Sequence, residues 1–367
     1  MNSSSFLAAV FGVFAAFAST AICRDASGNE RLELGPTRLF FAGNAMVDMF
    51  ARVDQSVIDS LNFAKGESNG ITPETFKALG EKVQVESKNP GGSSANTARA
   101  YAYLGGKASY FGLIGEDELA DDFDSYLGSY GVDMKTIRRP GTFTSQLYSL
   151  VTPDAERSMY LLFGASRTIV AEDVDASVMD DYDYYVVNGF MFGTPGHIAF
   201  TNKMIDAALS RGKKIITLFA NSVCIRKYSE HLKPVAAKSA YLSGNLEEFS
   251  KLYGIDDKEE LFLHFEDLTS VRKLQHKAVI ITMGGEGAYI IFRGKRYFVP
   301  PTGVEVVDTT GAGDFFAGSV LYGLLNGFTV EQSGEFARAV LSDILTHMGT
   351  SVSEDVRAKV AAIKHSA

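Results

Sequence analysis

Residues 184–218 read YYVVNGFMFGTPGHIAFTNKMIDAALSRGKKIITL, and this stretch decides the fold class. Residues 184–188 and 214–218 are short apolar, β-branched runs of strand type, and residues 197–210 between them have the length and composition of a helix. Strand, helix and strand at this spacing imply a βαβ crossover between parallel strands. Downstream the pattern continues, with strands at 240–243 and 278–282 and helices at 223–231, 246–253 and 259–274. A hairpin at 289–292 and 296–299 and two long helices at 313–326 and 330–348 complete the series. The expected class is therefore α/β, with a mostly parallel central sheet flanked by helices.

Upstream, the alternation is interrupted. A strand at 39–42 ends at Gly43, a break falls at Asn69-Gly70, and Thr72-Pro73-Glu74 is a helix-start signal with proline at the first helical position. A helix at 95–104 stops at Gly105-Gly106, a strand follows at 108–114, and a helix at 121–130 ends at Gly131. Residues 145–152 and 158–163 read as a hairpin turning at Pro153-Asp154. Segments near 46–54, 80–90 and 140–165 are β-rich and fall outside the βαβ rhythm, so they are expected to form a small sheet inserted into one domain spanning 38–353. A small sheet beside a reaction centre suits a lid that excludes water.

The 367 residues are 46% apolar and 22% charged, with a net charge of −9. That balance gives a large core and no broad basic surface for nucleic acid. Two cysteines, Cys23 and Cys224, imply no disulfide framework. Residues 6–21 are apolar and small, with Ala16-Phe17-Ala18 and Ser19-Thr20-Ala21 as small-x-small sites. The run is short for a membrane span and reads as a signal peptide or leader over 1–21, with a membrane anchor or a misread start as the alternatives. The expectation is no membrane span in the mature protein. A real leader implies the secretory pathway or an organelle reached through it; otherwise the protein is cytoplasmic.

Chemistry concentrates in Val307-Asp308-Thr309-Thr310-Gly311-Ala312-Gly313-Asp314-Phe315-Phe316, which follows an apolar, strand-like run and precedes a long helix. Three small residues let the main chain turn sharply, and the helix start offers free N–H groups and the positive end of the dipole to an anion. Asp314 stands beside that hole.

This string resembles the second signature of the PfkB/ribokinase-like kinase family, and Gly91-Gly92-Ser93-Ser94-Ala95-Asn96 resembles its first. The resemblance runs from about residue 39 to 353 and implies a ribokinase-like three-layer fold with a β-sheet lid. It implies ATP and Mg2+, with Asp314 as the base that activates the accepting hydroxyl and Gly311, Ala312 and Gly313 as the hole for the transferred phosphoryl group. Asn44, Asp48, Gly91, Gly92 and Asn96 are then substrate contacts. Asn245-Leu246-Glu247-Glu248 matches the family's Asn-x-x-Glu, so that Asn245 serves the nucleotide site and Glu248 organises magnesium through water. Thr282, Gly284, Gly287 and Thr309 fall at its nucleotide loops.

Within the family, Gly43-Asn44-Ala45-Met46-Val47-Asp48, the 91–97 segment and the 217–228 segment look most like the adenosine kinase branch. That implies the 5′-hydroxyl of adenosine as acceptor, giving AMP and ADP in purine salvage, with Asp48 holding the ribose 2′ and 3′ hydroxyls. A ribokinase- or fructokinase-like sugar kinase is the alternative. A non-catalytic nucleoside or sugar binder on the same fold is a remote one, since its mark would be loss of the Gly-Ala-Gly-Asp residues. Phe163 and Phe190 are candidates to stack on a base, with burial in the core as the plainer reading. The expected partners are small molecules alone, on a monomer or homodimer.

Overall fold

The computed structural model describes residues 37–365 except 62, 67 and 155, together with two short strands upstream. Those strands, Ala21–Arg24 and Glu30–Glu33, pair antiparallel in a separate N-terminal unit. The expected leader lies almost wholly outside the described residues. No described helix is long and apolar enough to cross a membrane.

From Arg38 onward the chain builds a nine-stranded sheet. Its order runs Lys295–Val299, Ala288–Phe292, Ala278–Thr282, Tyr241–Asn245, Lys214–Leu218, Tyr184–Asn188, Arg38–Ala42, Lys107–Phe111 and Asp133–Met134. Only the terminal hairpin pairs antiparallel; the remaining seven strands are parallel. The crossover read from residues 184–218 is present, with Val186 opposite Ile216 and the helix Pro195–Ser210 between the strands. Thr194 caps that helix, its Oγ1 accepting from His197 N at 3.1 Å, and Pro195 occupies the first turn.

Strand alternation divides the core into two halves. Leu39, Phe41, Val186 and Ile216 pack under the helices Ser93–Tyr103, Ala312–Leu325 and Val330–Ile344. Phe40, Ala42, Tyr185 and Ile215 face the helices Pro195–Ser210, Ser222–Lys238, Leu246–Tyr253 and Lys258–Thr269. The result is the three-layer architecture expected. Each large aliphatic or phenylalanine side chain buried in this way contributes about 1.5–3 kcal/mol.

The lid is a five-stranded sheet in the order Ser68–Gly70, Arg157–Leu162, Ser145–Val151, Met46–Arg52 and Ser87–Gly91. Its faces alternate with period two. Tyr148, Leu150 and Tyr160 point outward into a core completed by Ile58, Phe76 and Leu79. These last three come from the helices Gln55–Asp59 and Pro73–Gly80. Met46, Asp48, Leu147, Met159 and Leu161 point inward and line a cavity.

Several sequence expectations change here. The 80–90 segment contributes a strand only at Ser87–Gly91, because the helix begun at Thr72-Pro73 runs to Gly80. The Asn69-Gly70 break is itself a strand edge, held by pairing with Met159–Leu161 that no local pattern announces. The apolar run before Asp308 is not a strand: Pro300-Pro301 ends the preceding edge strand, and Val307 N donates to Leu345 O at 2.7 Å instead of joining a ladder.

Candidate active site

The candidate anion hole is a main-chain construction. The Asp308 carboxylate accepts from Thr310 N at 2.9 Å and Thr310 Oγ1 at 2.7 Å through one oxygen, and from Gly349 N at 2.9 Å through the other. This ties down the turn in which Gly311 adopts φ +72° and starts the helix Ala312–Leu325. A side chain at Gly311 would be strained there and would meet Asn96 Nδ2 at 3.2 Å. Gly313 has open space above it, and Asp314 sits in the first turn.

A cavity of about 380 Å3 opens on this helix start, lined by Asn245, Glu248, Thr282, Gly284, Thr309 and the 311–314 loop. It shares Thr282, Gly284, Thr309, Ala312 and Gly313 with a second cavity of about 400 Å3. The walls of that second space are apolar, including Val299, Val304, Val306, Phe316, Leu341 and Leu345. Gly287 lines it too, and a Cβ there would stand 2.4 Å from Val299 O. A polar end joined to an apolar end has the form a nucleotide requires, phosphates at the helix start and base among the valines and leucines. The residues on the base side come from the end of an edge strand, irregular chain and two helices, and this scatter is why sequence patterns missed them.

On the other side of Asp314 lies a third cavity of about 230 Å3, bounded by both sheets. Its polar lining includes Asn44, Asp48, Gly92 and Asn96. Asp48 is 4% exposed, and its Oδ1, like Asn44 Oδ1, is buried without a hydrogen-bond partner. Two acceptors aimed into one cavity without donors are matched by the hydroxyls of a diol. Gly91 is not on the wall but behind it, where a Cβ would stand 2.5 Å from Asp48 Oδ2; Gly92 takes φ +99° against Asn44 O. The rest of the lining is largely apolar: Leu147, which is the cross-strand partner of Asp48, with Met159, Leu161, Phe163 and Phe190. Phe163 and Phe190 are therefore cavity walls, contrary to the plainer expectation of core burial. Phe163 carries the Arg167 guanidinium 4.1 Å from its ring centroid.

Asp314, Gly311 and Ala220 line both the first and the third cavity. Ala220 has φ +76° and is spanned by a hydrogen bond from Asn221 N to Phe219 O at 3.1 Å, the strained form of a three-residue turn. Glycines hold this turn in place: a Cβ on Gly189 would stand 2.3 Å from Phe219 O, and one on Gly244 would stand 2.6 Å from the Phe219 ring.

Burial governs the electrostatics. It pushes the Asp314 carboxyl up to about 6, opposed by hydrogen bonds from Ser93 and Asn96 and by the charge of Arg99. It pushes Asp48 up to about 7, again against Arg99, and Glu248 to about 7. Arg99 is fully buried, donating to Asn96 Oδ1 at 3.1 Å and Thr350 O at 2.7 Å, with the rings of Tyr126, Tyr130 and Phe315 about it. A second cation, Arg157, reaches from the lid to pair with Asp308 at 2.7 Å and donates to Thr309 and Thr310. It joins the lid directly to the anion loop. Neither arginine stands in a recognisable motif, although Arg99 follows Asn96 by three residues on one helix and so shares its face.

Glu248 offers a buried, oxygen-only site for magnesium on the phosphate cavity. It is 3% exposed and closes a reciprocal cap with Asn245, whose Nδ2 donates to Glu248 Oε1 at 2.8 Å. Among the described residues no cluster of three acidic, histidine or cysteine side chains could hold a metal ion. Magnesium keeps water and phosphate oxygens as most of its ligands and needs few from protein. Glu247 points to solvent and pairs with Lys251.

Residues 56–357 match the pfkB family of carbohydrate kinases, and the chain belongs to that family. It is a sugar or nucleoside kinase by membership. The aminoimidazole riboside kinase of Salmonella typhimurium is 26% identical over 295 residues, covering 77% of this chain and 86% of that protein. A 5-dehydro-2-deoxygluconokinase of Clostridium perfringens is 27% identical over 281 residues, covering 72% and 80%. The crystal structure of adenosine kinase from Sinorhizobium meliloti superposes with a TM-score of 0.79 at 25% identity, covering 91% of this chain and all of that one.

Proposed function

We propose that this kinase uses ATP with Mg2+ to phosphorylate the 5′-hydroxyl of a nucleoside, with adenosine as the leading acceptor. The observation that carries the reading is the placement of Asp314 on the wall shared by the phosphate cavity and the acceptor cavity. A carboxylate there can take the proton from the acceptor hydroxyl as its oxygen bonds to the γ-phosphorus. The bond from that phosphorus to the bridging oxygen breaks, and ADP leaves. N–H groups at the 311–313 turn face the growing charge on the transferred group, which is where phosphoryl transfer needs help. Magnesium, held near Asn245 and Glu248, would neutralise phosphate charge. Arg157 then keeps the lid down on the anion loop while water is excluded.

The nucleoside reading rests on the mixed lining of the acceptor cavity. Asn44 and Asp48 suit a vicinal diol, and the apolar lining with Phe163 and Phe190 is more than a free sugar can use but suits a planar base. The riboside and adenosine kinases among the relatives favour the same class.

The test is a panel of acceptors with ATP and Mg2+: adenosine, other nucleosides, ribose and fructose. Adenosine or another nucleoside is expected to exceed every free sugar in kcat/KM by at least tenfold, since an unused aromatic lining forfeits on the order of 1–3 kcal/mol. Efficient turnover of a free sugar with none of the nucleosides would overturn the reading.

A further inference from the structure

Two polar side chains, Asn188 and Ser93, lead from the end of a central strand to the Asp314 carboxylate. Asn188 closes the strand Tyr184–Asn188 and is 1% exposed. Its Oδ1 accepts from Phe190 N at 3.1 Å, which fixes the orientation of the amide, and its Nδ2 donates to Ser93 Oγ at 2.8 Å. Ser93 Oγ lies 2.6 Å from Asp314 Oδ1. A hydroxyl has one proton. Because the Asn188 amide nitrogen can only donate, Ser93 must accept from it and give its own proton to Asp314. The other carboxylate oxygen receives Asn96 Nδ2 at 3.3 Å, and Asn96 is oriented in turn by Arg99.

The geometry points to Asn188 as a positioning residue that acts through the Ser93 hydroxyl to fix the plane of the Asp314 carboxylate and keep it in its ionised, proton-accepting form. This rests on the reading of Asp314 as the base. The amide commits the hydroxyl to one direction, so Asp314 never has to donate to Ser93 and is not drawn toward its protonated state. Both hydrogen bonds favour the charged carboxylate against the burial that opposes it. Neither Ser93 nor Asn188 transfers a proton to substrate. Both side chains also line the acceptor cavity, so the relay is read from the pH limb of kcat and not from KM for the acceptor.

The experiment is a double-mutant cycle read through the pH dependence of kcat, using the best acceptor of the panel. Ser93→Ala is expected to move the acid limb up by about one pH unit, the effect of one lost charge-assisted hydrogen bond, and to lower kcat at neutral pH about tenfold, about twofold through protonation and the rest through lost orientation of the carboxylate. KM for ATP should stay within about threefold. Ser93→Thr, which keeps a hydroxyl, should restore the limb. Asn188→Ala should move the limb in the same direction, and in the Ser93→Ala background it should move it no further, because its route to Asp314 is already cut.

Additive shifts in the double variant, or an unmoved limb in Ser93→Ala, would overturn the relay. If Asn188→Ala fails to fold, the Ser93→Ala shift and its rescue by threonine decide alone: both present supports the relay, either absent overturns it. Failure of the underlying reading looks different. An Asp314→Asn enzyme with near-normal turnover removes the base itself, whereas an inactive Asp314→Asn enzyme with an unmoved limb in Ser93→Ala removes only the relay.

Discussion

The two cavities that meet at Asp314 are made of different materials. On the proposed reading, the phosphate side is built largely from main chain: a positive-φ turn at Gly311, a helix start and the turn at Gly284. The acceptor side is built from side chains contributed by both sheets, from Asn44 and Asp48 to Phe163 and Phe190. Main-chain N–H groups recognise any phosphate and need only small residues to expose them, so one short string can specify the site. An acceptor is distinguished by hydroxyl placement and by what fills the rest of the cavity, and that takes side chains brought from distant parts of the chain. Family relatives named for a riboside and for a deoxygluconate, both near 26–27% identical to this chain, are what such a division allows.

The comparison is tested most severely where the two sides join. Asp314→Asn removes the proton acceptor without changing shape. Turnover should fall by roughly 10²- to 10⁴-fold, while calorimetry shows ATP affinity within about threefold of the parent, because the anion hole is main chain. Loss of ATP binding in step with turnover would mean that Asp314 belongs to the phosphate side after all. In the parent enzyme, kcat should decline below about pH 6, where the buried carboxyl takes up its proton.

Asp48→Asn strikes the acceptor side alone. KM for the acceptor should rise at least tenfold with KM for ATP unchanged, since a charged acceptor of two hydroxyl bonds becomes a neutral one. Stability should move the other way. The folded-state carboxyl is raised to about 7 from an ordinary 3.8, so its contribution is fully present below the unfolded value and is lost as pH rises through about 7. An asparagine cannot ionise and escapes that loss. Unligated Asp48→Asn should therefore be more stable than the parent at pH 8, on the order of 2 kcal/mol by urea unfolding, and no more stable at pH 4. Equal stabilities at pH 8 would show that Asp48 is not the strained, ligand-awaiting group its orphaned oxygen suggests.

The same contrast decides what could be read from the sequence. The parallel sheet was legible from residues 184–218 because buried parallel strands are apolar on both faces and helices separate them at regular intervals. Ala312, Gly313 and Asp314 were legible because a glycine turn at a helix start is local. Ser68–Gly70 was not, since its pairing with Met159–Leu161 spans some ninety residues and its own composition is that of a turn. Nor were Arg157, Asn188 and the Val304 to Leu345 wall. Each gains its role from a partner far along the chain, such as Asp308 for Arg157 and Ser93 for Asn188. The segment Ser222–Lys238 likewise differs from the single helix expected over 223–231: it is two helices meeting at a kink where Tyr228 has non-helical angles, and the second carries Pro234.

The smallest expected effect concerns the one place where the main chain enters the shared wall under strain. Ala220 holds φ +76° in a turn that glycine adopts freely, and Gly189 and Gly244 leave it no room to relax. For an alanine this conformation costs on the order of 1–2 kcal/mol, whereas a glycine avoids that cost but loses roughly 0.4–1 kcal/mol through its freer unfolded chain. The balance predicts that Ala220→Gly stabilises the protein by about 0.5 kcal/mol, a shift visible in a urea midpoint. If the strain serves to hold the wall between phosphate and hydroxyl, the same variant should turn over about threefold more slowly with both KM values unchanged, because a freer turn positions the reacting groups less well. Greater stability with full turnover would leave the strain as a by-product of packing between Gly189 and Gly244. Lower stability would mean that the Ala220 methyl is worth more to the wall than its backbone strain, and would place this turn with the side-chain-built half of the site.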